Sequence, residues 1–216
     1  MMDVLAKNYT KGNKDVKLFE IGRIFNNVAI NCDGQPAEAE GLCIGMYGED
    51  ADFFALKGMI DQTMSLMGLG QPVYEAERNL PMYHPGRCAN IIYEGELLGT
   101  IGEIHPDVSE RYGIGTRVYS CELLFTIIML HTKSDVVYKP LPKYPAVTRD
   151  ISLIVSEDVT VGAIEDVIFE NGEKILEDVA LFDVYRGRQV GEGKKSAAFA
   201  LTYRDAEKTL TDEEVN

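Results

Sequence analysis

The sequence predicts an α+β protein of two unlike domains, and three observations carry that reading. Strand-like apolar alternation recurs through residues 1–137 with little helix between. Pro140, Pro142 and Pro145 then crowd a stretch that suits neither a helix interior nor a central strand, because proline fixes φ and has no amide donor. Beyond them the pattern runs strand, helix, strand, strand. A chain of 216 residues has room for one large or two small cores. The boundary belongs at the prolines, giving domains 1–137 and 138–216.

In the first domain, strands are predicted at 17–25, 41–47, 89–93, 97–103 and 117–125. Phe53, Leu56, Ile60, Met64 and Met67 recur at helical spacing, and Gly68 follows as a natural stop. A shorter helix opens at Pro106 and ends near Gly113. The run from Ile91 to Leu98, broken by Glu94-Gly95, reads as a β-hairpin. The result is an antiparallel sheet with flanking helices. In the second domain a strand at 149–155 precedes a helix capped by Thr160, whose apolar face is Val161, Ile164, Val167 and Ile168. Strands at 179–185 and 196–203 follow, joined by a Gly-rich basic connection. Thr211 and Glu214 have capping-box spacing. This order is a ferredoxin-like βαββαβ unit cut short.

Composition removes several functions. The formal charge is −14, so a general electrostatic grip on nucleic acid is excluded and any polyanion must dock on a local patch. The longest apolar stretch, near 123–130, is far short of the roughly 20 residues that span a bilayer. Cys32, Cys43, Cys88 and Cys121 are scattered without zinc-ligand spacing, as are His84, His105 and His131, so no metal site is predicted. The start lacks signal-peptide character, which favours a reducing, cytoplasmic setting and buried, unreactive cysteines. No phosphate loop, nucleophile elbow or zinc-protease motif occurs. Gly113-Ile114-Gly115 lies between helix and strand, the wrong context for a phosphate cradle. His84-Pro85 and His105-Pro106 mark element edges and have no carboxylate or nucleophile at catalytic spacing. No catalytic residue is assigned.

Strand periodicity singles out one surface. Side chains alternate across a strand. On the second strand of the second domain, Ala180, Phe182 and Val184 are expected on the packed side, leaving Asp183 and Tyr185 on the other. On the third, Ala197, Phe199, Leu201 and Tyr203 are expected to pack, so Ser196, Ala198, Ala200 and Thr202 share the open face with Asp183 and Tyr185. An aromatic ring with a hydroxyl and a carboxylate suits an unpaired base, which stacks on the ring and bonds through its edge. Arg186, Arg188, Lys194, Lys195 and Arg204, against Glu192 alone, form a positive lip where a phosphate backbone would pass. Half-solvated sheets also carry such residues without binding anything.

The segments Leu181-Phe182-Asp183-Val184-Tyr185-Arg186-Gly187, Glu192-Gly193-Lys194-Lys195-Ser196-Ala197-Ala198-Phe199 and Lys208-Thr209-Leu210-Thr211-Asp212-Glu213-Glu214-Val215 resemble the ferredoxin-fold anticodon-binding domain of bacterial-type phenylalanyl-tRNA synthetase beta subunits. Tyr144-Pro145-Ala146-Val147-Thr148-Arg149-Asp150-Ile151 is similar to that domain's entry strand. Leu18-Phe19-Glu20-Ile21-Gly22-Arg23-Ile24-Phe25, His84-Pro85-Gly86-Arg87 and Gly99-Thr100-Ile101-Gly102-Glu103-Ile104-His105-Pro106 resemble the same subunit's catalytic-like domain.

The resemblance implies a degenerate class II synthetase fold for 1–137, inactive by itself and packed on a catalytic alpha subunit. It implies an α2β2 ligase that uses ATP and magnesium to charge tRNA(Phe), with no cofactor held by this part. The tyrosine, acid and hydroxyl that hold the first anticodon base, a guanine, fall at Tyr185, Asp183 and Ser196. Members of the family are several times longer, so domains are expected ahead of residue 1, and a further helix and strand beyond Val215. Two alternatives stay open at this level: a protein-interaction module without RNA binding, and a small-molecule regulatory domain of ferredoxin-like form.

Overall fold

The computed structural model describes residues 1–30, 34, 36–132, 138 and 140–215. The chain divides into two compact units, Met1–Val137 and Tyr138–Asn216.

Unit one runs α1 (Met2–Thr10), β1 (Val16–Ile30), β2 (Pro36–Tyr47), α2 (Phe53–Leu66), β3 (Val73–Ala76), β4 (Tyr83–Tyr93), β5 (Glu96–Ile104), α3 (Pro106–Arg111), β6 (Tyr119–Leu124) and α4 (Phe125–His131). The strands form one antiparallel sheet in the order β1-β2-β6-β5-β4-β3. Helix α2 starts where the Asp52 carboxylate accepts the Ala55 amide at 2.6 Å, satisfying an orphan donor of the first turn. Its Leu56, Ile60 and Met64 then bury against Met46, Ile91, Leu98, Ile101 and Cys121 of the sheet. Between β4 and β5, Glu94 and Gly95 take φ of 49° and 83°, the paired left-handed geometry that closes a two-residue hairpin.

The sheet's other face has a smaller core. Leu5 of α1 is fully buried with Val16, Tyr47, Tyr83, Ile104 and Val118. Gly45 is needed there: a Cβ on it would lie 2.9 Å from the Leu5 methyl. The strand expected at 117–125 runs only from Tyr119 to Leu124. The chain instead turns into α4 at Phe125, where Thr126 Oγ1 accepts the Glu40 amide at 2.8 Å and Ile128 enters the core. Helix α1 and the short edge strand β3 add to the elements expected from sequence. Cys88 and Cys121 are buried and Cys43 half-buried, all as free thiols; Cys32 lies outside the described residues.

Unit two contains β7 (Val147–Ser156), α5 (Val161–Asn171), β8 (Leu176–Tyr185) and β9 (Lys194–Tyr203), then one 3-10 turn at Asp212–Glu214. Its sheet is antiparallel in the order β7-β9-β8. The Thr160 hydroxyl caps α5 through the Ala163 amide, and Ile164 packs on Val179, Ala197, Phe199 and Leu201. The capping box forms: Glu214 accepts the Thr211 amide at 3.0 Å. The Lys208 ammonium, with the Thr211 bonds, holds the Glu214 carboxyl down to about 2.

Candidate nucleic-acid interface

Helix α5 covers one face of the β7-β9-β8 sheet, and residues opposite one another across antiparallel strands share a face. Tyr185 pairs directly with Ser196, which in turn pairs with Ile154; one row along, Asp183 pairs with Ala198 and Ala198 with Ser152. All six therefore project from the face that α5 leaves open. Tyr185 is 44% exposed and Ile154 59%. The hydroxyls of Ser196 and Ser152 lie 2.9 Å apart in a hydrogen bond in which either can donate. Ala198 and Ala200 leave the floor beside them low. The open face thus carries the aromatic side chain of Tyr185 and the apolar one of Ile154, with the Ser196 hydroxyl on the strand between them.

The upstream half of β8 differs from the sequence reading. Val179 and Leu181 pair with Leu201 and Phe199 on the packed face, and the register then slips between Leu181 and Asp183. Phe182 is the extra residue of a β-bulge and is 59% exposed, while Ala180, opposite Ala200, lies on the open face. Ala180 and Phe182 are therefore not packed-face residues. Beyond the bulge the phase is restored, with Val184 opposite Ala197.

The expected positive lip is thinner than composition suggests. Lys195 is 6% exposed, opposite Val155 on the packed face, and its ammonium donates to the Glu157 carbonyl at 3.0 Å. It is a buried tether and no phosphate contact, because its odd phase from Ser196 turns it inward. Arg186 Nε donates to Glu157 Oε1 at 2.8 Å. Arg204 sits at the far end of β9, about 25 Å along the strand from Ser196. Its guanidinium is taken by Glu177 at 2.8 Å and the Tyr144 carbonyl at 2.7 Å. Lys194, opposite Ser156 on the open face, and Arg188 are exposed with no ion pair among the described residues. The open face thus gathers Asp183, Tyr185, Ser196 and Lys194 as candidate contact residues, with Arg188 on the adjoining loop. Ser152, Ile154 and Gly187 join it although sequence reasoning passed over them; only the β7–β9 register shows where the first two fall.

Unit one holds an open cleft of about 420 Å³ on its sheet, lined among others by Glu20, Arg23, Cys43, Thr100 and Glu122. Glu20 and Glu122 flank Cys43 on neighbouring strands. Burial, with the Glu122 charge beside it, pushes the Cys43 thiol up. Arg23 already pairs with Glu38 at 3.1 Å. Carboxylates without a free guanidinium repel a triphosphate, so these residues do not fit ATP. Among the described residues no His, Cys, Asp and Glu groups converge to hold a magnesium or other metal ion. His84 and His105 accept the Gly86 and Asp107 amides through Nδ1 at 3.1 and 3.3 Å, closing local turns.

The six-stranded antiparallel sheet of unit one and the three-stranded sheet of unit two, open on the face away from α5, define a two-domain α+β chain. Residues 1–125 match the family model of the phenylalanyl tRNA synthetase beta chain CLM domain, and residues 142–216 that of the ferredoxin-fold anticodon binding domain. The chain belongs to the phenylalanyl-tRNA synthetase beta chain family. It is 45% identical over 216 residues to the phenylalanine–tRNA ligase beta subunit of Clostridium acetobutylicum, and 42% over 219 residues to that of Clostridium tetani. In both cases the match covers 100% of this chain and 27% of the relative. The chain thus spans about a quarter of the length of these curated relatives. The solved pyrrolysyl-tRNA synthetase of Desulfitobacterium hafniense overlays on 60% of this chain and 46% of its own, with a TM-score of 0.48 and 13% identity. No helix among the described residues is long and apolar enough to cross a membrane.

Proposed function

We propose that unit two reads the first anticodon base of tRNA(Phe), a guanine, and that unit one scaffolds the catalytic alpha subunit of a cytoplasmic α2β2 phenylalanine–tRNA ligase. The chemistry of ATP and magnesium then belongs to that assembly and not to these residues. In this reading Tyr185 stacks on the base, Asp183 and Ser196 bond its edge, and Lys194 and Arg188 meet the backbone. Arg186 steadies the loop and Lys195 the sheet.

The observation that carries the reading is the direct cross-strand pairing of Tyr185 with Ser196, one row from Asp183, on an uncovered sheet. A base stacked on one aromatic ring contributes about 1–3 kcal/mol. Tyr185→Ala is expected to weaken binding of an RNA hairpin carrying the phenylalanine anticodon by that amount, measured by fluorescence anisotropy. Its melting temperature should stay close to wild type, since the ring is largely outside the core. Equal affinity of variant and wild type rejects the assignment.

The scaffold half of the proposal is supported by edge strand β1. Phe19, Ile21 and Phe25 share one side of it and are 72, 51 and 63% exposed. Such an apolar stripe on an unpaired edge suits a protein partner.

A further inference from the structure

An exposed tyrosine near a strand end normally samples several χ1 wells, and freezing it when a ligand arrives costs binding free energy. Tyr185 is held differently. Its phenol turns back over the loop and rests on Gly187. A Cβ built on Gly187 would lie 2.6 Å from the ring's Cζ and 3.0 Å from Cε1, and closer still to the hydroxyl oxygen. Real Cβ atoms do not approach other heavy atoms so closely, so the ring occupies the volume that any side chain at 187 would need.

The backbone itself does not demand glycine here, because Gly187 is outside the left-handed φ region where Gly191 and Gly193 of the same loop lie. What demands it is the ring. The neighbouring chain is anchored too: Arg186 pairs with Glu157 at 2.8 Å, and the Gly187 carbonyl accepts the Val190 amide at 3.2 Å. The seat is a fixed piece of backbone beneath an otherwise free side chain.

We infer that Gly187 is a positioning residue: its bare Cα seats the Tyr185 phenol in the one orientation that presents a platform to the incoming base. The inference rests on the base-stacking reading above. A side chain at 187 leaves the fold intact and drives the ring to another rotamer, so recognition is lost through Tyr185 alone.

Two measurements on the 216-residue chain test it. Without RNA, the Gly187 Hα protons should show a ring-current shift that disappears in Tyr185→Leu; its absence in the wild type overturns the seat. With RNA, Gly187→Ala should weaken binding of the anticodon hairpin by about 5- to 150-fold, matching Tyr185→Ala. In a Tyr185→Ala background, Gly187→Ala should change affinity by less than about twofold. The loss should also vanish on a hairpin abasic at the first anticodon position. Wild-type affinity for Gly187→Ala beside weakened Tyr185→Ala overturns the seat and leaves the stacking reading standing. Full additivity of the two substitutions also overturns it, since Gly187 would then act through the loop. Unchanged affinity in Tyr185→Ala itself removes the stacking reading and with it the role of the seat in recognition.

Discussion

Glu103 is 2% exposed, yet its carboxylate accepts Arg87 Nη1 at 2.9 and 3.0 Å, with the Tyr119 hydroxyl at 3.3 Å and Arg117 Nε at 3.9 Å. A buried charge is tolerable only when its lone pairs are used, and removing a partner exposes the desolvation cost. Arg87 is the close partner and spans the irregular stretch of β4 between Tyr83 and Cys88. Its side chain is 44% exposed, so solvent screening reduces its share. Arg87→Ala is expected to destabilise unit one by about 1–3 kcal/mol in urea unfolding. Arg117→Ala, at a longer distance and 66% exposed, should cost less than about 1 kcal/mol. Equal effects would refute this ordering. In the sequence, Arg87 reads only as the end of a His-Pro-Gly turn, because its partner is set by a pairing across the sheet. Lys195 is the opposite case. Its phase against Ala197 was legible, and grouping it by charge with Lys194 concealed that it points inward.

At the scale of elements, periodicity located five of the strands of the first sheet at least in part and missed the four-residue edge strand β3. Tyr185, Asp183 and Ser196 were placed on one face correctly because the stretches that carry them, 183–185 and 196–203, are regular. It failed at the bulge, since an inserted residue leaves no mark in the alternation of Val179-Ala180-Leu181-Phe182-Asp183-Val184. It also missed α4, since the expected strand ended at Phe125 and the β-branched Thr126, Ile127 and Ile128 that follow give little helical signal. Helix α1 offers a single buried side chain, Leu5, too little for a recognisable stripe. The bulge makes a measurable distinction between two phenylalanines that plain alternation puts on the same face. Phe199 is fully buried, so Phe199→Ala should cost about 3–5 kcal/mol. Phe182 at the bulge is exposed, so Phe182→Ala should stay within about 0.5 kcal/mol. Comparable losses in chemical denaturation would mean that Phe182 packs and the register does not slip.

Across the whole molecule, burial is unequal. Among the described residues, Tyr47, Leu5, Met46, Leu56, Ile60, Met64, Ile91, Leu98, Ile101, Ile104 and Ile128 are the largest fully buried side chains of unit one, and Phe199 alone ranks with them in unit two. Buried apolar area is the main favourable term in folding, at roughly 25 cal/mol per Å², while the entropy of ordering backbone grows with every residue. The topology adds to the difference. In the β7-β9-β8 sheet only β9 is hydrogen-bonded on both sides, whereas unit one has β2, β6, β5 and β4 in that position. Local opening should therefore reach unit two at lower free energy. Native-state hydrogen exchange followed by mass spectrometry is expected to show the amides of 197–201, the best protected of unit two, exchanging faster than those of β5 and β6. Such an order also bears on recognition: the base-sized face is carried by the less stable unit, so a bound anticodon hairpin should slow exchange in β8 and β9 by mass action and leave β5 and β6 unchanged. Equal protection of the two units without RNA would show that the small core of unit two, centred on Phe199, is worth far more than its buried area implies.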